Sequence, residues 1–193
     1  EKRPRTQDEA EKEDEEPDTA HLVVLVDQSG SMDPQRHTMI PAVERMLRHT
    51  AQEMPAAQRD QKNVQVYFFA STIEKVLSLT FAGILDAPRG LGLHYEPNGN
   101  TALYNSLVAV LPHCARGATL FIATDGENTV DEPETQASAQ RALTLAKEER
   151  NIKVLALTEG REALAQIRMM EVEVMQSAQG ADGALSQALD DPA

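Results

Sequence analysis

The sequence predicts an α/β fold: a doubly wound, mainly parallel sheet with helices on both faces and one antiparallel edge strand. Three observations carry that expectation. Apolar strand-like runs alternate with amphipathic helical segments along most of the chain. The runs at 22–26, 118–123 and 152–157 lack the in-out alternation of a half-exposed strand, as central strands covered on both faces should. The connection at Ser71-Thr72 is too short for a parallel crossover, so the two runs beside it must pair antiparallel.

The elements follow in order. Leu22 to Val26 is the first strand. Val43, Met46, Leu47 and Thr50 stand at i, i+3, i+4 and i+7, which is one face of a helix. Pro41 suits a first turn but not a helix interior. The sequence therefore predicts a short turn after Asp33-Pro34 and a main helix from about residue 41. Val64 to Ala70 and Glu74 to Leu79 are the antiparallel pair, and short elements follow as far as Tyr95. Thr101 to Leu111 places Leu103, Leu107, Val110 and Leu111 on one helical face. Ala118 to Ala123 is a strand, and Glu134 to Arg150 a helix with Ala137, Leu143, Leu145 and Ala146. Ile152 to Leu157 is a strand, Glu162 to Met170 a helix, Val172 to Met175 a short strand and Ala184 to Leu189 a terminal helix.

Composition narrows the function. At 193 residues with 41% apolar side chains the chain can bury one ordinary core. A net charge of −13 excludes a protein that grips nucleic acid through its phosphates. No stretch approaches the roughly 20 apolar residues of a membrane helix, so a soluble protein with no membrane contact is expected. The single cysteine, Cys114, rules out an internal disulfide framework and fits the reducing cytoplasm. Residues 1–20 carry nine acids and four bases with no large apolar side chain. They read as a disordered acidic tail ahead of one domain spanning 21–193. The chain starts at Glu1 and not Met, which leaves open a targeting segment removed upstream.

The chemistry concentrates in three segments. Asp27-Gln28-Ser29-Gly30-Ser31 directly follows the first strand. Thr101 closes the loop Pro97-Asn98-Gly99-Asn100 and opens a helix. Asp125 follows the strand Leu120-Phe121-Ile122-Ala123, in Thr124-Asp125-Gly126-Glu127-Asn128. In a doubly wound sheet all three belong at the carboxyl ends of the strands, where ligands sit. Three hydroxyls and two carboxylates are hard oxygen donors of the kind Mg²⁺ prefers. Blander roles exist for each: Ser29 and Ser31 as turn caps, Thr101 as a helix N-cap, Asp125 as a turn residue.

These segments resemble the metal-ion-dependent adhesion site (MIDAS) of von Willebrand factor type A domains. The likeness covers about residues 21–190, and the stretches Asp27 to Met32 and Asn98 to Asn105 are especially similar to small, soluble, intracellular-type bacterial and phage members. It implies a Rossmann-like fold and a bound Mg²⁺ or Mn²⁺. Ser29, Ser31 and Thr101 would touch that ion directly, while Asp27 and Asp125 would act mainly through water. It implies a non-enzymatic module whose cation takes a carboxylate from a protein partner, and it associates such modules with AAA+ ATPases or stress-response systems.

Glu96, Glu127, Asp131 and Glu132 should ring the site, with Arg36 and His37 in partial compensation. A metal-dependent phosphohydrolase is the rival class, but the haloacid-dehalogenase pattern needs an acid where Ser29 stands. Neither a phosphate loop nor a nucleophile elbow is present. A scaffold that has lost metal binding is the third reading. The five histidines show no ligand spacing, Cys114 reads as a buried thiol, and the methionines read as packing.

Overall fold

The computed structural model describes residues 18–87, 90–91, 94–125, 128–130, 135–158, 161–170 and 172–175. Most of the acidic tail (1–17), the expected terminal helix and the acids Glu127, Asp131 and Glu132 lie outside the described residues.

Among the described residues six strands form one sheet in the order β3-β2-β1-β4-β5-β6. These are β1 (Ala20–Asp27), β2 (Asn63–Phe69), β3 (Ile73–Thr80), β4 (Cys114–Thr124), β5 (Lys153–Thr158) and β6 (Glu173–Met175). All neighbours are parallel except β2 and β3, which pair antiparallel across the turn at 70–72. The anticipated antiparallel edge is therefore β3.

β1 lies at the centre because both its faces are apolar. Leu22, Val24 and Val26 pack with Met39, Ile40, Val43, Met46 and Leu47 of α1 (Arg36–Glu53) and with Phe81 and Ile84 of α3 (Phe81–Asp86). Val23 and Leu25 point the other way. They meet Leu103, Leu107 and Val110 of α4 (Leu103–Val110), Ala139 and Leu143 of α5 (Gln136–Arg150), and Ile167 of α6 (Arg161–Met169). Each of these Val, Leu, Ile, Met or Phe side chains, fully buried, contributes about 1.5–3 kcal/mol. A short helix, α2 (Ala56–Arg59), bridges α1 and β2.

α1 departs from expectation. It begins at Arg36, not near residue 41, and Pro41 lies inside it after a 3₁₀ turn over Gly30–Gln35. Proline removes the N–H that would bond the His37 carbonyl, yet His37 is exposed and water can serve that oxygen. Starting early buries Met39 and Ile40, which outweighs the lost bond.

β4 is longer than the apolar run. It starts at Cys114, and its register on β1 shifts between Ala20 and Leu22, where exposed Arg116 and Gly117 interrupt the pattern. In α5 the buried residues are Ala139, Leu143 and Ala146, whereas Leu145 is 46% exposed and Ala137 faces solvent. Cys114 is fully buried, and burial pushes its thiol pKa up to about 12. No helix among the described residues is long and apolar enough to cross a membrane.

Candidate functional site

β1 and β4 are neighbours and run the same way, so their carboxyl ends deliver Asp27 and Asp125 to one edge of the sheet. Asp27 is fully buried, and both its carboxylate oxygens accept protein donors. The Ser29 N–H donates to Oδ1 at 2.8 Å, and the Thr124 hydroxyl donates to Oδ2 at 2.5 Å. The Ser29 and Ser31 hydroxyls are 3.0 Å apart and hydrogen-bonded, and Ser31 donates to Asp125 Oδ1 at 3.1 Å. One continuous chain of hydrogen bonds thus runs Thr124, Asp27, Ser29, Ser31, Asp125.

The capping alternatives fare differently from the ligand geometry. Ser29 occupies the N-cap position of the 3₁₀ turn, yet its side chain makes no capping hydrogen bond. The N-cap of α4 is Ala102, so Thr101 does not cap that helix. Its position is set by backbone pairing instead. Asn98 N–H donates to the Gln28 carbonyl at 2.8 Å and Gly30 N–H to the Gly99 carbonyl at 3.1 Å. Thr101 N–H donates to Thr129 Oγ1 at 2.8 Å, and Thr129 N–H returns a bond to the Thr101 carbonyl at 2.9 Å. Thr101 is 3% exposed, and its side chain makes no hydrogen bond among the described residues. The structure therefore joins Asp27 to Ser29 through the Ser29 backbone N–H, and Ser29, Ser31 and Asp125 through side chains, and docks Thr101 on the adjoining loop through its backbone.

Several residues here escaped sequence reasoning. Thr124 sits within the Thr124-Asp125 motif, which was its one available signal. Tyr95 donates its hydroxyl to the Asp27 carbonyl at 2.6 Å and packs edge-on against Phe68. Neither it nor Thr129 has a local pattern that marks it. Asn128, by contrast, was expected near the site from its place in the Thr124–Asn128 segment; it accepts the Tyr104 N–H in the first turn of α4 at 3.3 Å and donates its side-chain amide to the Val130 carbonyl.

The electrostatics follow from burial. Desolvation raises the pKa of Asp27, the hydrogen bonds from Thr124 and Ser29 lower it in part, and the charge of Asp125 adds to the rise. Desolvation also raises Asp125, against the bond from Ser31. Among the described residues the ion pairs are Arg36–Asp33 at 3.9 Å and Lys75–Asp18 at 2.9 Å, so neither site carboxylate has a protein cation. Two carboxylates and neighbouring hydroxyls without a cation form an anionic oxygen-donor group. The Ser29–Ser31 spacing suits a small ion: octahedral Mg²⁺ at 2.0–2.1 Å from each ligand sets adjacent oxygens about 2.9 Å apart. No group of three His, Cys, Asp or Glu side chains gathers among the described residues.

No family model and no curated protein matches the sequence. Solved structures do match. Proximal thread matrix protein 1 of the mussel byssus is 15% identical over 90% of this chain and 47% of its own, with a TM-score of 0.62. A further structure of that protein is described as having a zinc-occupied MIDAS motif. Manganese-loaded TRAP protein of Plasmodium vivax is 17% identical over 89% of this chain and 74% of its own, TM-score 0.63. The ArnB paralog VWA2 of Sulfolobus acidocaldarius is 15% identical over 87% of this chain and 44% of its own, TM-score 0.53. The chain spans about half the length of the mussel protein. At these identities the likeness is one of architecture alone. This chain has the fold of von Willebrand factor type A domains.

Proposed function

We propose that this chain is a non-enzymatic, divalent-cation-dependent protein-binding module. Ser29, Ser31 and Thr101 would hold Mg²⁺ or Mn²⁺ directly, with Asp27 and Asp125 acting through water. When bound, the cation offers an open position that attracts a Glu or Asp side chain of a partner protein. The observation that carries this reading is the hydrogen-bond chain from Thr124 through Asp27, Ser29 and Ser31 to Asp125. It ties up both oxygens of Asp27 and keeps that carboxylate from quenching the ion, while the hydroxyls stay positioned to bind it.

Support also comes from the solved structures of like fold that carry zinc or manganese. Other structures of like fold belong to a mussel matrix protein and a pilus adhesin, which favours surface or matrix proteins as partners alongside AAA+ ATPases.

Calorimetry with Mg²⁺ and Mn²⁺ on the full chain tests the reading directly. One cation should bind, and Asp27→Ala or Ser29→Ala should abolish it while the circular dichroism spectrum is kept. Affinity capture should yield partners in Mg²⁺ that are absent in chelator. Binding of no cation by the intact chain would leave a bare scaffold, and turnover of a generic phosphate ester with Mg²⁺ would favour an enzyme.

A further inference from the structure

Among the described residues, Thr101 is fixed by its backbone alone, through a two-bond clasp with Thr129. Its N–H donates to Thr129 Oγ1 at 2.8 Å, and its carbonyl accepts the Thr129 N–H at 2.9 Å. Thr129 is exposed and lies between the end of β4 and the start of α5, in neither strand nor helix. No regular ladder holds the clasp, so its place depends on the residues beside it.

Asn128 supplies that anchor in two directions. Its side chain accepts the Tyr104 N–H in the first turn of α4 at 3.3 Å and donates to the Val130 carbonyl. Its own N–H donates to Gln166 Oε1 at 2.9 Å, across 38 positions of sequence. Gln166 stands on α6 next to Ile167, which is fully buried with Leu143, Val154 and Ala156. Core packing thus fixes α6, and the half-buried Gln166 side chain reaches from it to the loop. Water could serve an N–H on so open a segment. A long side chain that gives up rotamer freedom to take its place selects one position for the loop.

We propose that Gln166 is a positioning residue for the cation: it holds Asn128, which sets Thr129, which keeps Thr101 within reach of the ion. The inference rests on the cation-dependent reading above and deepens it by linking α6 to one of the proposed ligands. Groups that orient a metal ligand from outside the shell govern affinity without touching the metal. The linkage is reciprocal, so a bound ion should in turn steady the bond between Asn128 and Gln166.

Calorimetry with Mg²⁺ on the full chain tests this with Gln166→Met, Gln166→Glu, Thr129→Val and the Gln166→Met/Thr129→Val pair. Methionine keeps the length of the side chain and loses the acceptor, whereas glutamate keeps the acceptor. Gln166→Met and Thr129→Val should each weaken Mg²⁺ binding about three- to tenfold. Gln166→Glu should bind within about twofold of the parent or tighter, which a role in packing alone does not predict. The pair should lose no more than about twofold beyond the weaker single variant, because both changes break one line of contacts. In the parent, Mg²⁺ should slow hydrogen exchange of the Asn128 and Thr101 amides about fivefold relative to chelator, a readout that needs no variant to fold. Parent-like affinity in Gln166→Met, a loss that glutamate does not restore, additive losses in the pair, or an Asn128 amide indifferent to Mg²⁺ overturns the inference. Each of these leaves the cation reading standing, while a parent that binds no Mg²⁺ sinks both.

Discussion

The Thr124 hydroxyl donates to Asp27 Oδ2 at 2.5 Å, joining the last residue of β4 to the last residue of β1 across 97 positions of sequence. The bond satisfies a buried carboxylate at the point where two parallel strands release their loops. Thr124→Val keeps the side chain's shape and leaves Oδ2 without that donor. The variant should lose about 1–3 kcal/mol of stability in chelator, measured by urea denaturation. An unchanged midpoint would mean that the bond contributes little.

Asp27→Asn should separate stability from function. Burial disfavours the Asp27 charge, as the raised pKa shows, so removing it relieves the apo protein. The amide can still accept from Ser29 N–H and can donate to Thr124. In chelator the variant should be at least as stable as the parent, by up to about 1 kcal/mol, while calorimetry detects no Mg²⁺ binding.

Gly99 adopts φ +79°, and a Cβ there would stand 3.0 Å from Ser71 Oγ. Its carbonyl also accepts from Gly30, which couples the Thr101 loop to the serine loop. Gly99→Ala should cost about 1–2 kcal/mol from the left-handed backbone alone. It should also weaken Mg²⁺ binding more than a surface Gly→Ala such as Gly30→Ala, whose Cβ meets only the Gly99 carbonyl at an ordinary 3.7 Å.

His21 gives the expected acid sensitivity of the fold away from the site. Burial lowers its pKa, with Lys62 adding repulsion, and its Nδ1 accepts the Asn63 N–H at 3.2 Å, which requires the neutral ring. The unfolded chain therefore binds the proton more readily than the folded one. Stability should be fully present above about pH 6.5 and decline as pH falls toward the lowered folded pKa. Urea midpoints at pH 7.5 and 5.5 should differ less in His21→Gln than in the parent.

Much of this architecture was legible in the sequence because its strands are continuous apolar runs and its turn at 70–72 is short. Where a local signal competed with packing, it misled. Pro41 argued for a late helix start, but Met39 and Ile40 had a core to enter. Leu145 fitted the apolar composition of α5 yet lies off the buried stripe set by Ala139, Leu143 and Ala146. The serines and Asp27 were legible because a strand end followed by small oxygen-bearing residues is a local pattern. Tyr95 and Thr129 carry no such pattern, since their roles lie in bonds to distant backbone atoms.

By itself the sequence determined which segments become strands and helices and which residues carry the oxygen donors, since both follow from side-chain type and spacing. Only the tertiary structure decided that β1 lies between β2 and β4, that Ser31 meets Asp125, and that Thr101 enters by its backbone. The reason is physical: pairing between segments nearly a hundred residues apart depends on how the sheet closes over two cores, and periodicity read within one segment holds no distance to another.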